Sequence, residues 1–419
     1  VLERTLGVPI FQEQVMQIAI VAAGFTPGEA DQLRRAMAAW KRRGGLEPFR
    51  AKLIDGMRAR GYDTAFAERI YGQICGFGDY GFPESHAASF ALLTYFSAWM
   101  KRHHPAAFTC GLLNSQPMGF YAPAQLIADA RRHGVRVLPV DARYSEWDCG
   151  LAPDGSAPDA ESGHRSRGSG ACSMRGAGCT ISGPSSPAIR LGLRMVSGLK
   201  RDAADRLAEA RAERPFSDVQ DLVERARPDR ASLSALTEAG ALRALAGHRR
   251  RARWSALGAQ PQGDLLAGSR LPERQPALAL PSRTDELRAD YASTGLSLQH
   301  HPIALLRRRL GRRVLTARQL ADSPDGRAVQ AAGVVTHRQR PGTASGVIFL
   351  SLEDETGIVN VIVWPKLAER YRAEVLGAGL LRVRGKLQNA HGSQHVVAAA
   401  FEALDDWLAG LRTESRDFH

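Results

Sequence analysis

Apolar positions in the first 148 residues follow the three- and four-residue spacing of amphipathic helices. Val15, Ile18 and Ala22 fall on one helical face in this way. Shortly after them, a Thr-Pro-Gly-Glu run ending at Glu29 offers an N-cap, a proline at the first helical position and a carboxylate three residues after the cap. The pattern predicts a mostly helical region over 1–148, in which a new helix starts after this cap.

The pattern changes along the rest of the chain. Residues 149–188 are rich in Gly, Ser, Pro and Ala, which predicts a disordered insertion or linker. Short helical units follow over 189–257, and then a polar linker with a helix over 258–312. Over 313–408 short alternating runs predict β-strands that close into a small barrel. With a tail at 409–419, the sequence predicts a multidomain α+β fold.

The formal net charge of +13 and the isoelectric point near 10.0 favour a polyanionic partner. Lys and Arg side chains that neutralise phosphates release counterions, which drives such binding. A coding bias towards arginine is the alternative explanation. Hydrophobic and charged fractions of 44% and 24% are those of a folded chain rather than a disordered one.

The five cysteines are scattered and odd in number, which favours a reducing cytoplasm over a disulfide framework. His164, Cys172 and Cys179 match no compact zinc pattern, so we assign no metal ligand. No apolar run approaches the roughly 20 residues of a membrane span, and no leader is recognisable. We therefore expect a cytoplasmic protein without a membrane partner. Because the first residue is Val1 rather than Met, we expect a fragment or a processed product.

A basic helix near the start carries Arg34 and Arg35, and a basic run beginning at Lys41 follows it. Guanidinium groups form bidentate pairs with phosphate oxygens, so this segment is a candidate clamp for a triphosphate. A solvated basic face is the more common alternative. Further along, Ser85 is a candidate N-cap and His86 a candidate contact to phosphate or base, with a structural role as the alternative for the histidine.

A helix-hairpin-helix signature surrounds Gly198. The glycine lets backbone N–H groups approach a DNA phosphate, and Lys200 and Arg201 add positive charge beside it. An ordinary helical hairpin is the alternative. A companion hairpin lies near Gly240.

Several blocks of this sequence resemble the fingers domain of the bacterial C-family DNA polymerases, namely GVPIFQEQVMQIA, LRRAM and YGFPESHAASFALLTY. The ESHAASFA segment and the C-terminal residues SRDFH resemble the error-prone, damage-inducible branch of that family. The resemblance covers nearly the whole chain outside the insertion. It implies a fingers domain over 1–148, tandem helix-hairpin-helix motifs over 189–257 and an OB fold over 313–408.

By this resemblance, Arg34 and Arg35 match the arginine pair that grips the phosphates of the incoming nucleotide, while Tyr80 and His86 match nucleotide-pocket positions. Glu84 departs from the replicative enzymes, which carry a lysine there. We hypothesise that this carboxylate weakens the hold on the triphosphate and loosens selectivity.

The resemblance to an OB fold implies a single-strand site built from a basic groove and stacking aromatics. Phe349, Arg382, Arg384 and Lys386 are the candidates, whereas for Trp364 we favour packing in the barrel core.

A short segment before the barrel, with Gln262, Leu265 and Leu266, lies where replicative relatives carry a peptide that binds the sliding clamp. A chance match in a linker is the alternative.

The resemblance implies a DNA-directed DNA polymerase, a nucleotidyltransferase acting in damage-induced synthesis and translesion repair. Its expected partners are primer-template DNA, deoxynucleoside triphosphates, the sliding clamp and other translesion factors. In the family, the carboxylates that bind the catalytic magnesium ions belong to a palm domain, which nothing in this sequence resembles. We therefore assign no catalytic residue, and we expect the fragment alone to bind no cofactor and to be inactive. The alternatives are a non-enzymatic DNA-binding repair scaffold and an RNA-binding protein with an OB domain.

Overall fold

The computed structural model describes residues 1–38, 46–76, 82–119, 121–153, 187–261, 276–390, 393–408, 411 and 416–418. The chain divides into two compact units, Val1–His103 and His104–His419.

The first unit is helical, as the apolar spacing predicts. Its helices are α1 (Gln12–Val21), α2 (Pro27–Ala38), α3 (Glu47–Ala59), α4 (Thr64–Gly76) and α5 (Glu84–His103). One apolar cluster joins α1 to α4, and its larger buried members are Val15, Ile18, Leu33, Met37, Leu53, Met57, Ile70 and Ile74. This cluster holds α2 against α1, which fixes the direction of the arginine-bearing helix.

The capping box predicted at the start of α2 is confirmed. The Thr26 backbone N–H donates to Glu29 Oε2 at 2.9 Å, and the Glu29 N–H donates to Thr26 Oγ1 at 3.3 Å. Lys52 on α3 also binds the Glu29 carboxylate, and this contact does most to lower the pKa of Glu29 to about 2. The start of α2 is therefore tied to α3 as well as capped.

Helix α5 is apolar and exposed at once. It has no Asp, Glu, Lys or Arg between Glu84 and Lys101, yet none of its residues is buried. Its large apolar side chains are 42–66% exposed: Phe90, Leu92, Leu93, Tyr95, Phe96, Trp99 and Met100. Such a composition is typical of a helix covered on all sides. Within the described ranges no helix combines the length and the apolar character needed to cross a membrane.

The second unit begins with two helices and a small sheet. These elements are α6 (Pro105–Asn114), α7 (Pro123–Arg132), β1 (Val137–Leu138), β2 (Gly150–Ala152) and β3 (Ala188–Arg190). Strand β3 lies in the centre, parallel to β1 and antiparallel to β2. The sequence predicted only helices before residue 148, so β1 is an additional element. Strand β2 lies at the start of 149–188, the range predicted as a disordered insertion or linker, so the start of that range is ordered. Residues 154–186, most of that range, lie outside the described residues.

Helices dominate the middle of the second unit. They are α8 (Arg201–Glu213), α9 (Val219–Ala226), α10 (Arg230–Glu238), α11 (Arg243–Ala246), α12 (Arg249–Gly258) and α13 (Arg283–Thr294). A continuous core joins α8–α12 to α6, α7 and the small sheet, with buried Leu113, Ile127, Ile189, Leu207, Leu222, Leu236 and Leu242. The hairpins therefore rest on the elements that precede the predicted insertion.

The last part of the chain is a closed barrel with short helices. Its elements are α14 (Pro302–Leu310), β4 (Val314–Leu315), α15 (Ala317–Ala321), β5 (Ala328–Gln339), β6 (Ile348–Asp354), β7 (Gly357–Val363), α16 (Pro365–Arg370), α17 (Arg372–Gly377), β8 (Leu380–Ala390), β9 (Ser393–Ala403) and β10 (Arg416–Phe418). The strands pair in the order β5-β6-β7-β9-β8, and β5 also pairs with β8, which closes the barrel.

Every second side chain along the strands points into the barrel and fills its core. In β6, Leu350 and Leu352 are buried, while Phe349, Ser351 and Glu353 are partly exposed. At Gly385, which adjoins a register shift, an added Cβ would lie 2.2 Å from the Val397 carbonyl oxygen, so only glycine fits there. The predicted combination of a helical region, helical hairpins and a C-terminal barrel is confirmed.

Candidate nucleic-acid interface

The two arginines of α2 share one carboxylate. Arg34 Nε donates to Asp31 Oδ1 at 2.9 Å, and an Arg35 guanidinium nitrogen lies 2.8 Å from Asp31 Oδ2. The hydrogen bond from Arg34 is the largest cause that lowers the pKa of Asp31. The carboxylate orients both guanidinium groups, and their side chains stay 39% and 74% exposed. Sequence reasoning missed Asp31, although its i,i+3 and i,i+4 spacing to the arginines was visible.

The start of α5 is fixed by the start of α1. The Gln12 N–H donates to the Phe82 carbonyl oxygen at 3.1 Å, and Glu13 Oε2 accepts from the Glu84 N–H at 2.9 Å. The Glu13 carboxylate therefore caps α5 from another helix. Arg4 pairs with the Glu84 carboxylate at 2.9 Å, which offsets part of its negative charge.

The N-cap expected at Ser85 is wrong, because α5 already begins at Glu84. Ser85 lies within the first turn, where its carbonyl oxygen accepts from Ser89 Oγ at 2.9 Å. The Glu13 carboxylate, on another helix, accepts a hydrogen bond from the start of α5, where the Ser85 hydroxyl was expected to be the acceptor. This contact spans 71 residues of sequence, so local spacing could not reveal it.

His86 lies exposed on the first turn of α5, between two aromatic rings. Its ring centroid is 5.3 Å from that of Phe82 and 4.4 Å from that of Phe90. Helix α1 packs against α2, which carries Arg34 and Arg35. The same helix is hydrogen-bonded to the start of α5, which carries His86. Lys41 and Tyr80 lie outside the described residues.

The hairpin at Gly198 has the geometry that its sequence predicts. Gly198 has a φ of +79°, a left-handed conformation that favours glycine, and α8 starts three residues later. The Ser197 N–H donates to the Ser293 carbonyl oxygen at 2.7 Å, so the end of α13 holds the hairpin in place. The N-cap residue of α8, Lys200, makes no side-chain hydrogen bond to the N–H groups of the first turn.

The charges beside this hairpin have protein partners. Lys200 Nζ lies 2.9 Å from Asp229 Oδ2, and this hydrogen bond is the main cause that raises the pKa of Lys200. Asp229 also caps α10 through the Ser232 N–H at 2.6 Å, so it links the first hairpin to the second. The Arg201 guanidinium lies 5.9 Å from the Trp147 ring centroid, where it stays 69% exposed.

The arginine run at the start of α12 is in part internal. Arg249 is buried at 7% exposure and binds Glu286 and Asp290 of α13, the latter at 2.6 Å. Arg250 pairs with Asp285 at 2.9 Å. These acidic partners lie about forty residues further along the chain, on α13. The local sequence is therefore typical of a charged surface, although the Arg249 side chain is buried.

On the barrel, the three cations of β8 point outward, alternating with buried Leu381 and Val383. Arg382 pairs with Glu402 on the neighbouring strand. Arg384 and Lys386 are exposed.

The aromatic candidate Phe349 lies on β6. It opposes Gln339 of β5, whereas Arg384 opposes Gln330 of the same strand. On its other side Phe349 opposes Ile362 of β7, which opposes Val397 of β9, and Val397 opposes Lys386. Phe349 therefore lies in the same cross-strand row as Lys386, three strand spacings or about 14 Å away.

Trp364 is 55% exposed, so the preference for packing in the barrel core is wrong. It follows the last residue of β7 and occupies the N-cap position of α16, outside the alternation that sends β7 side chains inward.

The described residues contain no group of three His, Cys, Asp or Glu side chains that could hold a metal ion. They therefore do not fit the carboxylate site that polymerase magnesium ions require.

Comparison with known proteins gives the same order of domains. The finger domain of the bacterial DNA polymerase III alpha subunit matches residues 1–61. A helix-hairpin-helix motif matches residues 134–252, and an OB-fold nucleic-acid-binding domain matches residues 329–404. The last two matches cover the Gly198 hairpin and the barrel.

The relatives that align with the whole of this chain are named error-prone DNA polymerases. The chain is 58% identical to that of Azoarcus sp. (strain BH72), 56% to that of Alkalilimnicola ehrlichii and 54% to that of Methylococcus capsulatus. Each alignment covers 100% of this chain and 37%, 38% and 39% of the relative, respectively. The chain thus spans well under half the length of the curated relatives that it matches. Along its whole length, this chain is thus similar to one portion of the error-prone DNA polymerases.

Proposed function

We propose that this chain is the nucleotide- and DNA-holding part of an error-prone DNA-directed DNA polymerase, which acts in damage-induced synthesis and translesion repair. The observation that carries the proposal is the identity of 54–58% over the whole chain to polymerases of that name. Matches to the finger, helix-hairpin-helix and OB-fold domains support it, because these are the domains that such a part would need.

In the proposed nucleotide site, Arg34 and Arg35 bind the phosphates of the incoming nucleotide. Asp31 holds both guanidinium groups before the nucleotide arrives, and the phosphate oxygens then compete with it for the same donors. His86 would approach the phosphates or the base, with Lys41, Tyr80 and Ser85 as further members of the site.

In the proposed DNA site, the Gly198 hairpin approaches a phosphate of the duplex. The N–H groups of the first turn of α8, which the Lys200 side chain does not cap, and the partial positive charge of the helix dipole would supply the attraction. Exposed Arg201 adds charge, while Lys200 reaches a phosphate only when it exchanges its contact with Asp229. Such contacts set affinity and salt dependence rather than sequence preference.

The chemistry itself is proposed to lie outside this sequence. Nucleotidyl transfer by this class of enzyme needs magnesium ions held by convergent carboxylates. This chain would therefore position the nucleotide and the DNA while other residues of the polymerase activate the primer hydroxyl. The clamp peptide around Gln262 and Leu266, which lies outside the described residues, stays a proposal of the same kind.

A test uses the purified chain, a fluorescent primer-template, magnesium and deoxynucleoside triphosphates. We expect binding that weakens steeply with added salt, and no extension of the primer. Extension by the chain alone would show that its catalytic centre is internal. Failure to bind the primer-template at low salt would contradict the DNA-holding role.

A second test addresses the nucleotide site in a complete polymerase that contains this chain. We expect Arg34→Ala and Arg35→Ala to raise KM for the nucleotide while duplex binding stays unchanged. A DNA-binding repair scaffold without a nucleotide site would show neither extension in the complete protein nor any response to these changes.

A further inference from the structure

Helix α5 presents a broad apolar surface to solvent. Its seven large apolar side chains, each 42–66% exposed, occupy an arc of about 220° around the helix axis at about 100° per residue, from Tyr95 through Phe96 to Phe90. Half-exposed side chains of this size expose about 100 Å² each, so together they present on the order of 700 Å². The largest apolar patch on a typical monomer measures about 300–600 Å². A surface of this size therefore marks a site of association.

The remaining arc of α5 is uncharged as well. It carries the small side chains of Ala87, Ala91, Thr94 and Ala98, so a neighbouring backbone can approach closely on that side. A helix that is apolar all round needs cover on more than one side. A second copy that packed its own α5 here would cover only a stripe of about 100° and leave most of the large side chains in water. The surface therefore fits a cleft formed by several elements of a larger body.

The start of α5 lies at the proposed nucleotide site. His86 is on its first turn, and α1 fixes this turn through the bond from the Glu84 N–H to Glu13. Nucleotidyl transfer needs carboxylates that hold metal ions against the phosphates of the same nucleotide. No cluster among the described residues could hold such ions. The proposed function therefore requires another part of the polymerase to reach the nucleotide beside the first turn of α5.

We propose that α5 is the docking helix for the catalytic part of the same polymerase polypeptide, which encloses the apolar arc in a cleft of uncharged side chains. This chain covers only 37–39% of its relatives, so most of each relative's length remains to form such a cleft. The inference rests on the proposed function, because it takes this chain as the part that holds the nucleotide. It gives α5 the task of setting the position of the catalytic carboxylates relative to His86.

The first experiment compares the accessibility of α5 in this chain, at nanomolar concentration, and in a complete polymerase that contains it. Ser97→Cys places a thiol at an exposed position within the apolar arc and keeps all the large side chains. Labelling by a maleimide is followed by peptide mass spectrometry, which separates this thiol from the native cysteines. We expect labelling at least about tenfold slower in the complete polymerase, because a covered thiol reacts only when the cleft opens.

The matched control for labelling is Ala51→Cys, at an exposed position of α3. Its thiol should react equally fast in the two proteins. Thermal unfolding of both variants accompanies the labelling, so that a thiol exposed by unfolding is recognised.

The second experiment places a charge in the arc. Leu92 on α5 and Leu257 at the end of α12 are 62% and 63% exposed, which makes them a matched pair. In the complete polymerase, Leu92→Glu should lower primer extension at least about tenfold, because the cleft would bury an unpaired carboxylate. Leu257→Glu should change primer extension less than about twofold. In the chain alone, neither change should shift Tm.

Equal labelling of Ser97→Cys in the two proteins would overturn the docking surface, as would equal slowing in Ala51→Cys. Equal effects of Leu92→Glu and Leu257→Glu on the complete polymerase would also overturn it. Slow labelling of Ser97→Cys in the dilute chain would mean that the chain covers α5 itself. Slowing that appears only when the chain is concentrated, without slowing in the complete polymerase, would assign the surface to a second copy.

Failure of the proposed function has a different signature. A wild-type complete polymerase that does not extend a primer would contradict the proposed function. Labelling of Ser97→Cys needs no catalysis, so it still decides whether α5 is covered.

Discussion

Asp31 Oδ1 accepts a hydrogen bond from Arg34 Nε at 2.9 Å, while the other oxygen of the same carboxylate holds Arg35. A phosphate must displace this carboxylate from the two guanidinium groups. Asp31 therefore acts both as the group that orients the arginines and as a competitor of the ligand.

Removing that competitor is expected to tighten nucleotide binding. Exposed ion pairs are weak, so Asp31→Asn should lower the dissociation constant of dATP by no more than about fivefold at low salt. Equilibrium titration of the purified chain with a fluorescent nucleotide measures this. Asp55→Asn, which removes an exposed carboxylate from α3, is the control for net charge and should have little effect. Weaker binding in Asp31→Asn would mean that orientation of the arginines outweighs competition.

The capping carboxylate Glu29 makes stability depend on pH. Its pKa falls from 4.5 to about 2 on folding, so its contribution is fully present above pH 4.5 and is lost as pH falls through about 2. We expect Glu29→Gln to have a lower Tm than the wild type at pH 7, and the difference to shrink between those two pH values. Thermal unfolding across this range measures it.

Because Glu29 is at the surface, added salt should reduce the difference in Tm. Glu3→Gln, an exposed carboxylate of the same unit, is the control and should show no such trend. A difference in Tm that persists unchanged at pH 2 would contradict the assigned role of the carboxylate.

Features set by local spacing could be predicted from the sequence. The Thr26–Glu29 capping box, the left-handed Gly198 turn and the alternation of the barrel strands each need only residues a few positions apart. All three are present. The fold class followed from them, since helical and alternating periods occupy different parts of the chain.

Features set by distant partners could not be predicted. Glu13 caps α5, although Ser85 is closer in sequence, and Arg249 is buried because α13 supplies carboxylates to it. Trp364 is exposed because β7 ends one residue before it. An arginine or a tryptophan has the same local pattern in a core and on a surface, so only the packed neighbours decide its position.

The buried pairing of Arg249 predicts a large effect on stability. Arg249→Met leaves Glu286 and Asp290 without their buried cation, so we expect the free energy of unfolding to fall by about 3–5 kcal/mol. Arg253→Met, on the same helix with a side chain 68% exposed, is the matched control and should cost less than about 1 kcal/mol. Urea unfolding followed by circular dichroism measures both. Equal effects of the two changes would contradict the internal role of Arg249.

The exposed apolar face of α5 predicts that charge is tolerated there. Because no residue of α5 is buried, Leu92→Glu and Phe96→Glu should leave Tm nearly unchanged and reduce the fluorescence of a bound hydrophobic dye. Leu33→Glu, which places charge in the core between α1 and α2, is the contrast and should unfold the first unit. A loss of Tm in the α5 variants as large as in Leu33→Glu would show that this face is covered.

The Gly198 hairpin permits a test that separates backbone strain from DNA binding. Gly198 and Gly134 have φ values of +79° and +80°, and an added Cβ would meet nothing within 4 Å at either position. Gly198→Ala and Gly134→Ala should therefore each cost about 1–2 kcal/mol of stability through the left-handed conformation alone. Only Gly198→Ala should also weaken duplex binding, by about tenfold, because a shifted turn misplaces N–H donors to a charged phosphate. Fluorescence anisotropy with a blunt duplex, at a temperature where both variants are folded, measures the difference. If the two variants lost duplex affinity equally, or neither lost any, the hairpin would not be a phosphate contact.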